Sequence, residues 1–552
     1  MCTCSVARVS TAAMCLGIVL LPCAFGGAEI GEPVVYNNYS YISPVLPNYG
    51  IAQGSIFTMT PLGPPYFVTV TASQGVPLQS SLAGVTVTVT VGSVITQAIP
   101  YYVSPTQVTA ILPSKTPVGH GTVTVTSSRG SASAPISVVP AAFGLATVST
   151  PPGPVESWPV AVAQDANEGG QLLSQADAAN PGEYLTLWGS GLGPVPGDET
   201  QYQTPADLTD VPIEVDIGGV SATVTYHGRS TYPGLDQIDV IVPPGVSGCN
   251  ASVVVTAGGM PSNYGTIPVA ASGRICTDPG LVPLTASEYQ SLLGLGNVNL
   301  GAISLTAFMA PGTSTFADST SATFGKYPAA QVVASDFLQV PSIGSCVLTS
   351  DGAPPLLSAS SAGFNGALNA GTQVNVRGPG GLLVLLPGWA GSDTFTGTYG
   401  PEAWGTPPQI VSSTGGGPFT FDNGSGGPDV GAFQSSASAS ATTPFVWTNS
   451  SAITAVDRAQ APSITWIGGI PGSYVSIFGD GPWVSFICSA PLSAGQFTLP
   501  PAVVESMPST AATELNINLY VVDETIQIFS APGLDLGLFF FGSGSGISVP
   551  VH

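Results

Sequence analysis

The sequence predicts an all-β chain built from tandem modules, and three observations predict it. Apolar and hydroxyl residues alternate with period two in Val85-Thr86-Val87-Thr88-Val89-Thr90-Val91 and Thr122-Val123-Thr124-Val125-Thr126, the pattern of half-buried strands. Glycine and proline, 69 and 52 of 552 residues, punctuate these runs at Gly92, Pro113, Pro117, Gly119 and Gly130. One ordered set of motifs also occurs twice. Gly54, Leu62-Gly63-Pro64, Gln107-Val108-Thr109, Leu112-Pro113, Val123-Thr124-Val125 and Ile136-Ser137-Val138 reappear as Gly182, Leu192-Gly193-Pro194, Gln237-Ile238-Asp239, Val242-Pro243, Val253-Val254-Val255 and Ile267-Pro268-Val269. The offset stays at about 130 residues, so one structural unit is used in tandem.

The N-terminus reads as an export signal over residues 1–28. Arg8 precedes the apolar run Ala12 to Leu21, and small residues follow at Ala24, Gly26, Gly27 and Ala28, with cleavage after Gly26 or Ala28. The apolar run is too short to span a bilayer, and no later stretch of about 20 apolar residues occurs. Residues 29–47 form an extended lead-in rich in Tyr, Asn and Pro. Module 1 covers 48–140, a linker with the stiff spacer Pro151-Pro152-Gly153-Pro154 covers 141–180, and module 2 covers 181–276. A second linker, 277–300, carries Thr285-Ala286-Ser287-Glu288, a capping box that opens a short helix closed by Gly294. Ala502 to Ser506, between Pro501 and Pro508, is the second short helix. The remainder divides into β-rich subdomains 301–440 and 441–552, with the Ser/Ala run Ser435 to Ser440 between them.

Removing the signal leaves Cys249, Cys276, Cys346 and Cys488, an even count that favours disulfides in an exported chain. Four cysteines allow three pairings. Cys249 with Cys276 is favoured because both flank the last hairpin of module 2, which leaves Cys346 with Cys488. Zinc is disfavoured: the mature chain has no Cys-x-x-Cys and the whole chain only three His.

Charged residues make up 7% of the chain, against about 25% in ordinary globular proteins. Eight Lys and Arg face 31 Asp and Glu, a formal charge of −23. With no basic run, nucleic acid and anionic membrane surfaces are excluded as partners.

Module 1 resembles the IPT/TIG type of immunoglobulin-like domain in its Gly54 to Leu62-Gly63-Pro64 opening, its valine strand ending in glycine, its Tyr101 to Gln107-Val108 strand and its Pro117-Val118-Gly119 turn. The tandem pair, with Ser247-Gly248-Cys249 and Gly273-Arg274-Ile275-Cys276, is similar to repeats of exported acidobacterial proteins. Thr60-Pro61 departs from that pattern, where glycine and a polar residue are usual. The resemblance implies two immunoglobulin-like β-sandwiches and no catalytic residues.

Candidate chemistry is sparse. Gly542-Ser543-Gly544-Ser545-Gly546 places Gly544 where a nucleophile elbow needs serine. His120 and His227, beside glycines, read as solvated turn residues. Asp422 and Asp429, on a glycine-rich loop, are the candidate Ca²⁺ ligands; an Asp/Asn/Gly turn explains them without an ion, and no other cofactor is expected. Trp389, Tyr399 and Trp404, in a Gly/Pro-rich stretch, are candidate glycan contacts, whereas Trp188, Trp447 and Trp466 lie in strand patterns and read as core. The expected function is therefore a secreted or cell-surface, non-enzymatic protein for adhesion or ligand binding, its partner an extracellular protein or polysaccharide. The alternative is a glycan-binding accessory to polysaccharide degradation, with a hydrolase using C-terminal carboxylates as a third reading.

Overall fold

The computed structural model describes residues 32–62, 71–149, 159–309, 316–329, 332, 340–350, 366–390, 394–401, 410–411, 416–513 and 515–552. The signal segment 1–28, the spacer Pro151 to Pro154 and Trp404 lie outside the described residues.

The repeat read from the sequence is a repeat of strand pairing. In the first sandwich one sheet runs Val34–Asn37, Ile56–Thr60, Val108–Ile111, Ile99–Val103, Ala72–Ser73, and the facing sheet runs Ile51–Ala52, Gly130–Val139, Gly119–Ser127, Thr86–Val91, Val94–Gln97. The second sandwich repeats the order. Ala163–Asp165, Tyr184–Ser190, Asp236–Ile241, Thr223–Arg229 and Ala206–Asp207 form one sheet, while Pro159–Ala161, Gly265–Val269, Gly248–Ala257, Ile213–Ile217 and Val220–Ser221 form the core of the other. Even the irregularities match. Ile56 pairs with Ile111 as Tyr184 pairs with Ile241, and the register shifts at Pro100/Tyr102 and at Val224/Tyr226. In both, an early strand lies parallel to the last one, Ile51 on Val138 and Val160 on Thr266.

Alternation explains the burial. Val85, Val87, Val89, Val123 and Val125 are buried in the first core while the threonines between them face out, which lets one strand satisfy both a dry and a wet face. Glycine closes the tight turns: Gly218 and Gly219, at φ +61° and +77°, join Ile213–Ile217 to Val220–Ser221, a geometry that side-chain-bearing residues resist.

The structure redraws several boundaries. The lead-in supplies the edge strand Val34–Asn37, which pairs with Ile56–Thr60, and the linker supplies Gly144–Leu145, Thr147–Ser149, Pro159–Ala161 and Ala163–Asp165 to the second sandwich. Residue 440 is no boundary. The C-terminal half is built on one 13-stranded sheet that runs through Cys346–Ser350, Val484–Pro491, Tyr474–Gly481, Ile517–Phe529, Leu536–Val549, Asn297–Met309, Phe316–Pro328, Thr394–Pro401, Gly381–Ala390, Val374–Gly378, Gly417–Asp422 and Gln434–Ala439, with Gly366–Ala367 paired to Phe316–Pro328 at the side. The Ser/Ala run forms the last of these strands, with Ala437 and Ala439 turned inward.

At its centre, Asn297–Met309 lies parallel to Leu536–Val549, Leu300 opposite Leu536. Val298, Leu300, Leu536 and Leu538 enter one core with Trp447, Trp466 and Phe486, whereas Ile303, Leu305, Phe539 and Phe541 enter another with Phe419, Phe421 and Phe433. Both faces of these strands are dry, hence their continuous apolar runs. The three-stranded sheet Thr443–Trp447, Ser463–Gly469 and Gln496–Thr498 carries Trp447, Ile464 and Trp466 into the first of these cores. Gly542 to Gly546 sits mid-strand, with no turn and no elbow.

The far end of the sheet rolls back on its middle. Gln527 accepts from Ser438 N at 3.2 Å and donates to Ser438 O at 2.7 Å, so a side-chain amide does for this edge what a neighbouring strand would. Both anticipated helices form. Ala286–Leu293 has the full capping box, Thr285 N donating to Glu288 Oε2 at 2.7 Å and Glu288 N to Thr285 Oγ1 at 3.3 Å, and Pro501–Glu505 is the second. A further short helix, Thr510–Thr513, follows Ser509 and is too brief to show a period in the sequence.

Candidate functional site

Both expected disulfides form. Cys249 and Cys276 lie 5.1 Å apart between Cα atoms, and Cys346 faces Cys488 across paired strands at 4.0 Å. The first is packed against Asp278, whose Oδ2 accepts from Cys249 N at 2.6 Å and from Ser342 Oγ at 3.2 Å. That buried carboxyl, pushed up to about 6 by desolvation, ties the second sandwich to the C-terminal half.

Two of the three aromatic candidates lie among the described residues. Trp389 and Tyr399 lie on paired strands, not in a loop, because the glycines and prolines around them sit within the ladder. Tyr399 is 1% exposed. Its hydroxyl donates to Gly371 O and accepts from Ala370 N, both at 2.9 Å, and its ring meets Phe324 and Phe395 edge-on, so it is core and cannot stack on a sugar. Asp422 Oδ1 accepts from Asn375 Nδ2 at 2.8 Å and Gly424 N at 3.0 Å, while Asp429 Oδ2 accepts from Asn369 N at 2.8 Å. Both carboxylates accept from the protein itself, tying the loop to the segment at 369–375. Among the described residues no three His, Cys, Asp or Glu side chains converge as a metal site.

Other assignments shift too. His120 and His227 sit in strands, not turns; His227 Nε2 lies 2.9 Å from Leu208 O and 3.1 Å from Val211 O. Trp447 and Trp466 are core, but Trp188 faces outward from the second sandwich and is half-buried, its indole N–H donating to Gln164 at 2.7 Å.

The described residues hold one acid pair with acid–base potential. Burial pushes Asp523 up to about 6 and Glu524 up to about 7, and Ile470 N, Ser473 and Ser476 donate to them. Both are sealed inside the sheet. A shallow cleft lined by Pro482, Met507, Leu515 and Ile517 includes neither of them.

The most strongly constructed surface is the seam between the two sandwiches. Asp236 Oδ1 pairs with Arg229 Nε at 2.6 Å, both side chains fully buried, and its Oδ2 accepts from Gly191 N at 2.7 Å and Leu192 N at 2.9 Å, fixing the Leu-Gly-Pro corner. Glu199 then reaches the first sandwich, accepting from Ser114 N at 2.9 Å and Ser114 Oγ at 2.8 Å. Ser190 Oγ donates to Gly234 O at 2.6 Å and accepts from Ile56 N at 2.9 Å. Leu78 N donates to Thr200 O at 2.8 Å. Two loops of the second sandwich, 198–203 and 230–235, are thereby clamped to the first. They are also joined to each other, Gln203 N donating to Thr231 O at 2.9 Å.

These loops raise Tyr202 and Tyr232 into solvent, 61% and 56% exposed. Their ring centroids lie 5.7 Å apart at 75°, edge to face. Sequence reasoning passed over both because each lies in a turn with no period to mark it; the Tyr-Pro-Gly at 232–234 was the available signal.

No family model and no curated protein matches the chain. It is similar to the titin A168–A169 structure at 15% identity, covering 44% of this chain and 99% of that one with a TM-score of 0.13. It is also similar to SGBP-B from a complex xyloglucan utilization locus in Bacteroides uniformis (10% identity, 63% and 71% covered, TM-score 0.14) and to immunoglobulin domains 1–4 of Sidekick-1 (9%, 94% and 99%, TM-score 0.10). With overlap this low, the duplicated strand pairing described above defines the modules. Both are immunoglobulin-like sandwiches.

Among the described residues no helix is long and apolar enough to cross a membrane.

Proposed function

We propose that this chain is an exported, non-enzymatic, multi-domain β protein that mediates adhesion or ligand binding at the cell surface or beyond it. The observation that carries this reading is the clamped seam: loops 198–203 and 230–235, held by Glu199 and Ser190, present two aromatic rings to solvent on a rigid support. A binding face fixed before the ligand arrives loses less entropy on association. Two disulfides suit an oxidising compartment, and the reading of residues 1–28 as an export signal supplies the route. The IPT/TIG resemblance of the modules, and their likeness to repeats of exported acidobacterial proteins, agree with a role in binding.

The second reading, a glycan-binding accessory in extracellular polysaccharide breakdown, gains support from the exposed tyrosines. The test is binding of the fluorescently labelled mature chain to intact cells and to immobilised extracellular proteins and polysaccharides, with hydrolysis of the same polymers followed in parallel. Saturable binding without turnover is the expected result. Turnover abolished by Asp429→Ala would instead favour the hydrolase, and absence of saturable binding to every surface would overturn the proposal.

A further inference from the structure

We infer that Tyr202 and Tyr232 form a contact site for a neutral polysaccharide, a deepening that rests on the ligand-binding reading above. The two tyrosines are exposed by more than half, yet their loops are held by backbone and side-chain hydrogen bonds. Loop 230–235 is closed by Ser230 N donating to Leu235 O at 2.9 Å, by Leu235 N to Tyr232 O at 3.2 Å, and by Tyr232 N to Ser230 Oγ at 3.1 Å. Loop 198–203 is closed by Thr200 N and Thr200 Oγ1 donating to Asp198 Oδ1 at 3.0 and 2.7 Å, and by Gln201 N to Asp198 O at 3.2 Å. With more than half of each residue open to solvent, the pair leaves ring surface available to a ligand.

The arrangement selects the chemistry. Rings at 75° make a floor and a wall, which suits the flat apolar face and the edge of a pyranose and leaves no parallel-sided groove for a proline-rich peptide. Gln201 and Thr231, exposed beside the rings, are residue types that hydrogen-bond hydroxyl groups. Charge sets the remaining condition. Asp198 is fully exposed and held below the usual carboxylate range by its Thr200 hydrogen bonds, so it stays ionised, and the chain as a whole carries −23. Uronate-rich or sulfated polymers are repelled over about a Debye length, some 8 Å at physiological salt, and neutral polymers are not.

Affinity gel electrophoresis of the full mature chain tests the inference, with konjac glucomannan and hydroxyethyl cellulose as neutral probes, polygalacturonate as the anionic probe and polyproline as the peptide probe. The wild type is expected to be retarded by a neutral polymer and not by polygalacturonate or polyproline. Tyr202→Ala/Tyr232→Ala is expected to lose about tenfold or more in affinity, and Tyr202→Phe/Tyr232→Phe to keep most of it, since the ring faces remain. Both variants should melt close to wild type, because the rings support no core. If wild type binds a neutral polymer and the double alanine variant binds it equally, this site assignment fails while the binding function stands. If wild type ignores every neutral polymer, or prefers polyproline or polygalacturonate, the neutral-glycan inference fails, and binding to cells still decides the broader function independently.

Discussion

Replacing Asp236 by alanine removes one carboxylate that holds three donors at the seam: Arg229 Nε at 2.6 Å, Gly191 N at 2.7 Å and Leu192 N at 2.9 Å. The guanidinium left behind stays fully buried, with Gly193 O at 3.2 Å as its remaining acceptor and Nη1 already without one. Stranding a buried charge costs about 3–5 kcal/mol. Each orphaned amide adds about 1–3 kcal/mol, but one local relaxation serves both, so a total of about 5 kcal/mol is expected. A domain holds only about 5–15 kcal/mol, so the second sandwich should be close to unfolding. Urea titration followed by circular dichroism should show its midpoint falling by roughly 2.5 M, taking about 2 kcal/mol per M for the slope. Arg229→Met/Asp236→Leu removes both charges yet leaves Gly191 and Leu192 unbonded, so it should recover roughly half the loss. A midpoint for Asp236→Ala within about 0.5 M of wild type would refute the claim that this pair holds the Leu-Gly-Pro corner of the second sandwich in place.

Two further perturbations probe the C-terminal half. Glu524 has its carboxyl raised from 4.5 to about 7 by burial, so the folded state holds its proton more tightly than the unfolded one. The stability present below pH 4.5 is then lost as pH rises to about 7, by up to about 3 kcal/mol. Glu524→Gln should therefore stabilise the protein at pH 8, change little at pH 4.5, and flatten the dependence of melting temperature on pH; equal melting shifts at both values would contradict this. Gln527→Ala removes the amide that seals the edge strand Gln434–Ala439. Hydrogen exchange at Ser438 should accelerate by about tenfold, with Tyr520 and Val521 unchanged, and unchanged protection at Ser438 would show the edge to be closed by other means.

Where local chemistry decides structure, the sequence was sufficient. The valine–threonine alternation, the Thr285–Glu288 capping box and both cysteine pairings concern residues close in sequence or selected by elimination among four. Partnership at long range was not legible. Nothing in Glu29 to Pro47 announces that Val34–Asn37 will pair with Ile56–Thr60, and Gly542 to Gly546 looks like a loop until its neighbours are known. Tyr399 was misread for the same reason: glycine and proline around it suggested a turn, whereas register with Ala322 and packing on Phe324 drew it into a core. The tyrosines at 202 and 232 carry no periodic signal, since their position is set by hydrogen bonds from another module. Charge told more about what the chain avoids than about what it meets.

The parallel union of Asn297–Met309 with Leu536–Val549 has a consequence for how the molecule is made. The opening strand of this half meets one neighbour, Phe316–Pro328, at once, but its other edge stays open until Leu536–Val549 has been synthesised more than two hundred residues later, so the C-terminal sheet should close late and slowly, long after the two sandwiches are complete. It also means that a cut ahead of the helix Ala286–Leu293 breaks no strand pairing, whereas a cut anywhere between Asn297 and Val549 separates a strand from the neighbour that makes it a strand.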